Sequence, residues 1–201
     1  MPEQPSQQAA LRGEPSYVWR TGQQRRLDLI RQVAGERLNG AILEDGCGVG
    51  QYLARLTADA KLAVGLEIEH PRAVEAHTSG ALTVCAAGEG LPFASGLFDL
   101  VLSHEVLEHV QDDRTSVEEI VRTLKPGGRL VLFVPNRGYP VETHGVYRKG
   151  VYHFGNKLFV NWLPRKLRNK LAPHVRVYSK RDLEKLFTGL PVTVVERRII
   201  F

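Results

Sequence analysis

Cysteine is scarce in this chain, and long apolar runs are missing from it. Two cysteines, Cys47 and Cys85, occur in 201 residues, which is too few for a disulfide scaffold or a four-ligand zinc site. The pattern assigns no metal ligand. No apolar stretch reaches the roughly 18 residues that cross a bilayer, and residues 1–19 lack the apolar core of a secretory signal. We therefore expect a cytoplasmic protein.

Charge is distributed unevenly along the chain. The net charge is +5, but it is not spread evenly. Residues 1–136 carry 13 basic and 18 acidic side chains, whereas residues 137–181 carry 11 basic side chains and 1 acidic side chain. A protein that binds nucleic acid over its whole surface would spread its basic residues more widely. Nucleic acid is therefore a possible partner but not the favoured one, and the basic segment needs an explanation of its own.

Strand-like and helix-like segments alternate through most of the sequence. Residues 1–20 are rich in Gln, Pro and Glu and are predicted to be a disordered tail, and residues 21–201 to be one domain. Predicted strands are 41–44, 62–67, 82–85, 98–103, 129–134 and 192–201, and predicted helices are 21–38, 52–56, 73–77, 117–124 and 179–187. This order predicts a Rossmann-like, doubly wound α/β fold with a mostly parallel sheet.

A basic and aromatic insertion, 137–178, interrupts this alternation and is longer than an ordinary connection. Apolar and basic residues are interleaved in 156–171, which is typical of an amphipathic lid. Such a segment could attract an anionic acceptor, contact a membrane surface peripherally or bind RNA. Among the single interpretations, a solvated face over a buried apolar stripe is the one that we favour.

A glycine turn lies between the first predicted strand and the following helix. Its sequence, Glu44-Asp45-Gly46-Cys47-Gly48-Val49-Gly50, lets the backbone approach a nucleotide-like cofactor without interference from Cβ atoms. Gln51 stands where the dinucleotide fingerprint needs its last glycine, which argues against NAD. Glu67 closes the second strand, where a carboxylate can accept hydrogen bonds from ribose hydroxyls.

The order of these motifs resembles class I S-adenosylmethionine-dependent methyltransferases of the methyltransferase type 11 branch. The matching stretches are Ile42 to Gly50, Val64 to Glu67, Glu89-Gly90-Leu91-Pro92-Phe93, Phe98 to Ser103, Val106-Leu107-Glu108-His109 and Leu124-Lys125-Pro126-Gly127-Gly128. The resemblance implies S-adenosylmethionine as the cofactor and the class I methyltransferase fold. That sheet normally has seven strands, and the last is expected to be missing here. Either the chain is truncated, or a partner chain, such as a second copy in a homodimer, completes the edge.

The resemblance also implies which residues contact the cofactor. Gly46, Cys47 and Gly48 would skirt it, Glu67 would hold its ribose, and Glu44 would orient the glycine loop. Gly88 and Glu89 would flank the adenine, and Ser103 and His104 would lie near the methionine part and the methyl group. An acidic residue usual in the family is Ala87 here, so Glu89 is expected to substitute for it.

Methyl transfer from a sulfonium is an in-line displacement that needs alignment more than a protein nucleophile. A hydroxyl acceptor would also need a general base, for which His104, His144 and His153 are candidates and His144 is favoured. His109 is interpreted as a structural residue as readily as a functional one. The acceptor is predicted to be a small molecule or a lipid-linked metabolite. The alternatives are an RNA methyltransferase and a cofactor-binding module without catalysis that docks a partner.

Overall fold

The computed structural model describes residues 17–78 and 80–200, so residues 1–16 of the predicted tail lie outside the described part. The helices are α1 (Thr21–Ala34), α2 (Leu53–Leu56), α3 (His70–Thr78), α4 (Asp113–Thr123), α5 (Arg165–Leu171) and α6 (Lys180–Leu186). The first strands are β1 (Ala41–Asp45), β2 (Leu62–Glu67), β3 (Leu82–Cys85), β4 (Phe98–His104) and β5 (Leu124–Phe133). Short strands follow at β6 (Val141–Glu142), β7 (Val146–Arg148), β8 (Val151–His153) and β9 (Lys157–Leu158).

The central sheet has five strands in the order β3-β2-β1-β4-β5. All four pairings in it are parallel. The chain winds outward from β1 in one direction to β3 and then in the other direction through β4 to β5. Ligands bind at such a reversal in open α/β sheets, beyond the carboxyl ends of the strands. Here that place lies between the ends of β1 and β4, where Asp45 is in register with Ser103.

Apolar residues cover both faces of the sheet, as the predicted doubly wound fold requires. Ile42 of β1 and Leu100 of β4 pack with α1 through Leu27 and Ile30. Their strand neighbours Leu43 and Val101, which point to the opposite face, pack with Ile120 of α4. The predicted α/β fold with helices on both faces is therefore confirmed.

The insertion between β5 and α6 forms two small antiparallel sheets, β6 with β9 and β7 with β8. A single turn of 3-10 helix, Val160–Trp162, leads into α5. The backbone of Tyr178 joins this region to the end of β5 by accepting from Arg137 and donating to Pro135. None of the helices in the described residues is long and apolar enough to cross a membrane.

The predicted strand at 192–201 is wrong. The described part of that run, 192–200, forms no strand and is exposed, and Phe201 lies outside the described residues. Its β-branched residues predict a strand by composition, but strand conformation is stabilised by pairing, and no described strand pairs with it. The sheet therefore has one strand fewer than the six that we expected. β5 begins at Leu124 rather than 129, with a shift of register between Phe98 and Leu100.

Candidate functional site

The glycine loop is tied to the end of β2. The backbone N–H groups of Gly46 and Cys47 both donate to the carbonyl of Leu66, at 2.9 and 2.8 Å. Gly46 has a φ of 74°, and an added Cβ would lie 2.2 Å from Cγ2 of Val106. Only glycine fits there, since L residues are strained at such a φ. Close approach of the loop to β2 also requires Gly65, whose Cβ would lie 2.5 Å from the sulfur of Cys47.

Glu67, the last residue of β2, binds the glycine loop through its side chain. Its Oε2 accepts from the N–H of Gly48 at 2.9 Å, and its Oε1 accepts from the N–H of Glu69 at 2.8 Å. The side chain is buried and therefore points into the loop rather than into solvent. A carboxylate offers about four lone-pair sites, of which these bonds use two. The two that are left match the two hydroxyls of a ribose.

Asp45 and Ser103 join the two strands at the reversal of the sheet. Ser103 Oγ donates to Asp45 Oδ2 at 3.1 Å, and both side chains are buried. Burial raises the pKa of Asp45 to about 6. Oδ1 has no hydrogen-bond partner among the described residues, and a Cβ on Gly88 would lie 3.3 Å from it. A side chain at residue 88 would therefore crowd Asp45, and glycine allows the loop after β3 to approach the end of β1.

Glu44 supports the helix that follows the loop. Its buried carboxylate accepts a hydrogen bond from the backbone of Leu53, the first residue of α2, and burial raises its pKa well above the ordinary value. This contact lies beneath the loop and fits the predicted orienting role. Glu89, the predicted adenine residue, accepts from the N–H of Gln111 at 2.6 Å. It therefore connects the loop after β3 to the segment before α4.

His104 lies between two aromatic rings. Its ring centroid is 5.0 Å from that of Tyr52 and 4.9 Å from that of Phe133. Burial, followed by the positive charge of Arg26, lowers the pKa of His104 to about 4. The imidazole is therefore neutral at neutral pH. It lies at the end of β4 next to the glycine loop, where we expect the methionine part of the cofactor.

The turn after β4 gathers acidic and imidazole groups. Glu105 has a φ of 57°, a strained value for a residue other than glycine. Glu108 is fully buried, and burial together with the nearby Glu105 raises its pKa well above the ordinary value. His109 Nε2 lies 3.9 Å from Glu108 Oε1. The insertion brings His144 to this turn, with its ring centroid 5.2 Å from that of His109.

Glu142 holds His144 in place. Its Oε1 contacts Nδ1 of His144 at 3.0 Å and accepts from the backbone N–H of the same residue at 2.9 Å. Its Oε2 accepts from the buried Arg168 at 2.6 Å. Burial alone would raise the pKa of Glu142, but the bonds from His144 and the Arg168 guanidinium lower it to about 2. Glu142 is therefore ionised and presents His144 in one fixed orientation.

Sequence reasoning missed three of these side chains: Glu108, Glu142 and Arg168. One signal pointed to Glu142, because it is the single acidic residue in 137–181. Arg168 corrects the predicted buried apolar stripe on the basic helix. The buried residue of α5 is this arginine, while Leu167 is 54% exposed. His153, the third base candidate, is exposed on β8 and outside the group.

The central segment of the chain is similar to known methyltransferases. Residues 43–132 match the family model described as methyltransferase domain. A probable S-adenosylmethionine-dependent methyltransferase of Mycolicibacterium smegmatis is 34% identical over 119 residues, which cover 56% of this chain and 45% of that protein. A tRNA (carboxymethyluridine(34)-5-O)-methyltransferase of Arabidopsis thaliana is 31% identical over 96 residues, or 46% of this chain and 23% of that protein. The chain thus matches less than half the length of these relatives.

Solved structures share the fold. A putative methyltransferase of Bacillus halodurans superposes with a TM-score of 0.60 at 20% identity, over 81% of this chain and 67% of the other. A methyltransferase of Thermotoga maritima, described as a possible histamine N-methyltransferase, superposes with a TM-score of 0.53 at 22% identity, over 81% of this chain and 72% of the other. At these identities the likeness establishes the architecture of the sheet and its helices.

Proposed function

We propose that this chain, which carries a class I S-adenosylmethionine-dependent methyltransferase domain, transfers the cofactor's methyl group to a small-molecule or lipid-linked acceptor. The cofactor of this family is S-adenosylmethionine, which supplies a methyl group on a sulfonium leaving group. The observation that carries the proposal is the buried carboxylate of Glu67, held against the glycine loop by the N–H of Gly48. We also propose a cytoplasmic location, which the two free cysteines support, because thiols stay reduced there.

The residues at the reversal of the sheet fit this cofactor. Glu67 retains acceptor capacity for two ribose hydroxyls. Asp45 Oδ1 and His104 Nε2 are buried and have no hydrogen-bond partner among the described residues, as expected of groups that a ligand completes. Gly46, Cys47 and Gly48 present backbone rather than bulky side chains, since the Cys47 side chain turns into the core beside Gly65. The role of the chain is to bind, orient and exclude water.

The acceptor is proposed to bind over the turn after β4, between it and the insertion. His144 stands there with Nδ1 fixed by Glu142, so Nε2 is the nitrogen presented to an acceptor. A neutral imidazole in this position can remove the proton of an acceptor hydroxyl. The neutral His104 is the second candidate on the cofactor side.

We also propose that the segment 156–171 contacts an anionic membrane surface that carries the acceptor. Four large apolar side chains in it are 54 to 66% exposed, and basic residues alternate with them. The apolar residues are Leu158, Phe159, Trp162 and Leu167, and the basic ones are Lys157, Arg165, Lys166 and Lys170. Apolar side chains that enter the interface beside lysine and arginine are typical of peripheral membrane binding.

Flotation with vesicles tests this contact. The protein is expected to float with vesicles containing 30% phosphatidylserine and to stay behind with pure phosphatidylcholine. Trp162→Ser is expected to weaken flotation, whereas Val74→Ser, which removes an exposed apolar side chain from α3, is not. Equal flotation of the two variants would contradict the proposal. Retention of a tRNA with no vesicle binding would favour an RNA acceptor, in line with the name of the Arabidopsis relative.

Mass spectrometry of cell extracts tests the activity. Cells that express the protein are expected to contain a product heavier by one methyl group than its precursor, and the label is expected to come from methionine with a labelled methyl. Cells expressing Glu67→Ala serve as the control. If the wild-type protein binds the cofactor and yields no methylated product in any extract fraction, the alternative of a noncatalytic binding module replaces the proposal.

A further inference from the structure

Beside the cofactor pocket, the turn after β4 and the insertion bring three metal-ligating side chains together. One ligand atom from each of Glu108, His109 and His144 lies within 4.8 Å of the other two. Cations such as Zn²⁺ take carboxylate and imidazole ligands at about 2.0 to 2.2 Å, so ligands on opposite sides of an ion are about 4.2 Å apart. A small inward movement of flexible side chains would close this triangle on one ion.

Glu108 gives an independent reason to expect a cation. Its side chain has 0% exposure, and neither carboxylate oxygen accepts a hydrogen bond from an N–H or hydroxyl donor among the described residues. The partner within hydrogen-bond reach is another carboxyl, that of Glu105. Buried ionisable groups in proteins are normally paired or bound to a metal, because an isolated buried charge is costly. The other carboxyls that act on it electrostatically belong to Glu105 and Glu142, which increase the need for a cation.

The groups around His144 form the support that metal-binding imidazoles usually have. Glu142 holds Nδ1 at 3.0 Å, which leaves Nε2 as the nitrogen that can bind a cation. Arg168 binds the other oxygen of Glu142 at 2.6 Å, which assigns this carboxylate to supporting the imidazole rather than to ligation. The turn itself is anchored, because the carbonyl of Glu108 accepts from the N–H of Arg176 at 3.1 Å.

We propose that Glu108, His109 and His144 bind one divalent first-row transition-metal cation, which holds an oxygen atom of the acceptor. Two imidazoles and a carboxylate with open positions suit Mn²⁺, Fe²⁺, Co²⁺ or Zn²⁺ better than Mg²⁺, which prefers oxygen ligands only. The cation lowers the pKa of a bound hydroxyl. This role rests on the proposed methyltransferase function and narrows the acceptor to compounds with a hydroxyl or similar oxygen.

The transfer balances without any further reactant. The acceptor hydroxyl releases its proton to solvent when its oxygen binds the cation. That oxygen then forms a bond to the methyl carbon while the bond from this carbon to sulfur breaks. The electron pair of the broken bond stays on sulfur and neutralises the sulfonium charge. In this arrangement His144 is a ligand rather than a general base.

Mn²⁺ binding to the chelator-treated full chain tests the site. Electron paramagnetic resonance of free Mn²⁺ is expected to show one equivalent bound, and Glu108→Gln and His144→Ala are each expected to weaken binding at least tenfold. His153→Ala, which alters an exposed histidine outside the cluster, should bind as the wild type does. Circular dichroism melting establishes whether each variant is folded. If Glu108→Gln is unfolded, His144→Ala decides the test, because His144 is less buried than Glu108.

The same experiment separates failure of the site from failure of the proposed function. Mn²⁺ is added without cofactor, and cofactor binding is measured without metal, where His144→Ala is expected to match the wild type. Water proton relaxation by bound Mn²⁺ is expected to show at least one exchangeable water, the position for an acceptor oxygen. No bound equivalent, equal loss in His153→Ala, or a bound ion without exchangeable water would overturn the proposal.

Discussion

Replacing Glu67 by glutamine should nearly abolish cofactor binding while leaving the fold intact. The carboxylate accepts one backbone hydrogen bond on each oxygen, from Gly48 and from Glu69. A glutamine at this position has one acceptor oxygen, and its amide N–H₂ must face one of these two N–H donors. The loop then loses one of its bonds to β2, and the ribose loses its charged acceptor.

The size of the effect follows from the bonds that are lost. Two hydrogen bonds from ribose hydroxyls to a desolvated carboxylate contribute about 1.5 to 3 kcal/mol each, or about 3 to 6 kcal/mol together. Since each 1.4 kcal/mol is a factor of ten, the dissociation constant should rise by about 10² to 10⁴. The expected loss is therefore far larger than the error of a calorimetric titration.

Calorimetry with S-adenosylhomocysteine, the product that is not consumed, measures this change. Glu69→Gln is the matched control, because Glu69 pairs with Arg72 at 2.8 Å and contacts Glu67 through its backbone N–H, which the substitution keeps. Its dissociation constant should stay within about threefold of the wild type, and both variants should melt cooperatively. A folded Glu67→Gln protein that binds the cofactor within threefold of the wild type would refute the placement of the ribose.

Three further substitutions test the loop, the buried ion pair and the buried histidine. Gly46→Ala should lower the free energy of unfolding, measured in urea, by about 2 to 5 kcal/mol. Backbone strain contributes about 1 to 2 kcal/mol of this and overpacking about 1 to 3 kcal/mol. Gly90→Ala is the control and should change the free energy of unfolding little, because its Cβ would meet no atom within 4 Å. Arg168→Met should cost about 3 to 5 kcal/mol by leaving Glu142 buried without its cation, and a cost below 1 would contradict that pairing. His104 has a pKa of about 4 in the folded chain and an ordinary pKa near 6.5. As the pH falls, the unfolded chain is therefore protonated first, and the free energy of unfolding should fall by about 3 kcal/mol between pH 7 and pH 4. His104→Asn should remove this part of the pH dependence, and parallel curves of unfolding free energy against pH for the two proteins would refute it.

The strands and the glycine turn that carry the proposed cofactor residues are predicted well, because neighbouring residues encode them. The strands 62–67 and 82–85 match their predicted bounds, since short apolar runs between turn residues have few other stable states in an α/β chain. The glycine loop and Glu67 follow from spacing along one strand-turn-helix unit and its crossover.

The group around His144 could not be assembled from the sequence, because distant segments form it. Glu108 and Glu142 are 34 positions apart, and no period in the sequence relates them. Arg168 was expected on a solvated face, because a basic helix is normally exposed. Its burial follows from Glu142, which supplies the one carboxylate that can compensate a buried guanidinium in that segment. The failed strand at 192–201 has a similar origin, because a strand depends on a partner that composition does not reveal.

The two halves of the site also differ in how completely their buried carboxylates are hydrogen-bonded by the chain itself. On the cofactor side, Glu67 accepts backbone hydrogen bonds on both oxygens, so the loop has its shape before any ligand arrives. On the acceptor side, the backbone of Glu105 is strained, and neither oxygen of the buried Glu108 accepts from an N–H or hydroxyl donor among the described residues. Strain persists in proteins where the surrounding structure imposes it. Burial and the nearby Glu105 raise the pKa of Glu108, so a bound cation would take the place of the carboxyl proton, and the acceptor side should depend on its ligand more than the cofactor loop does.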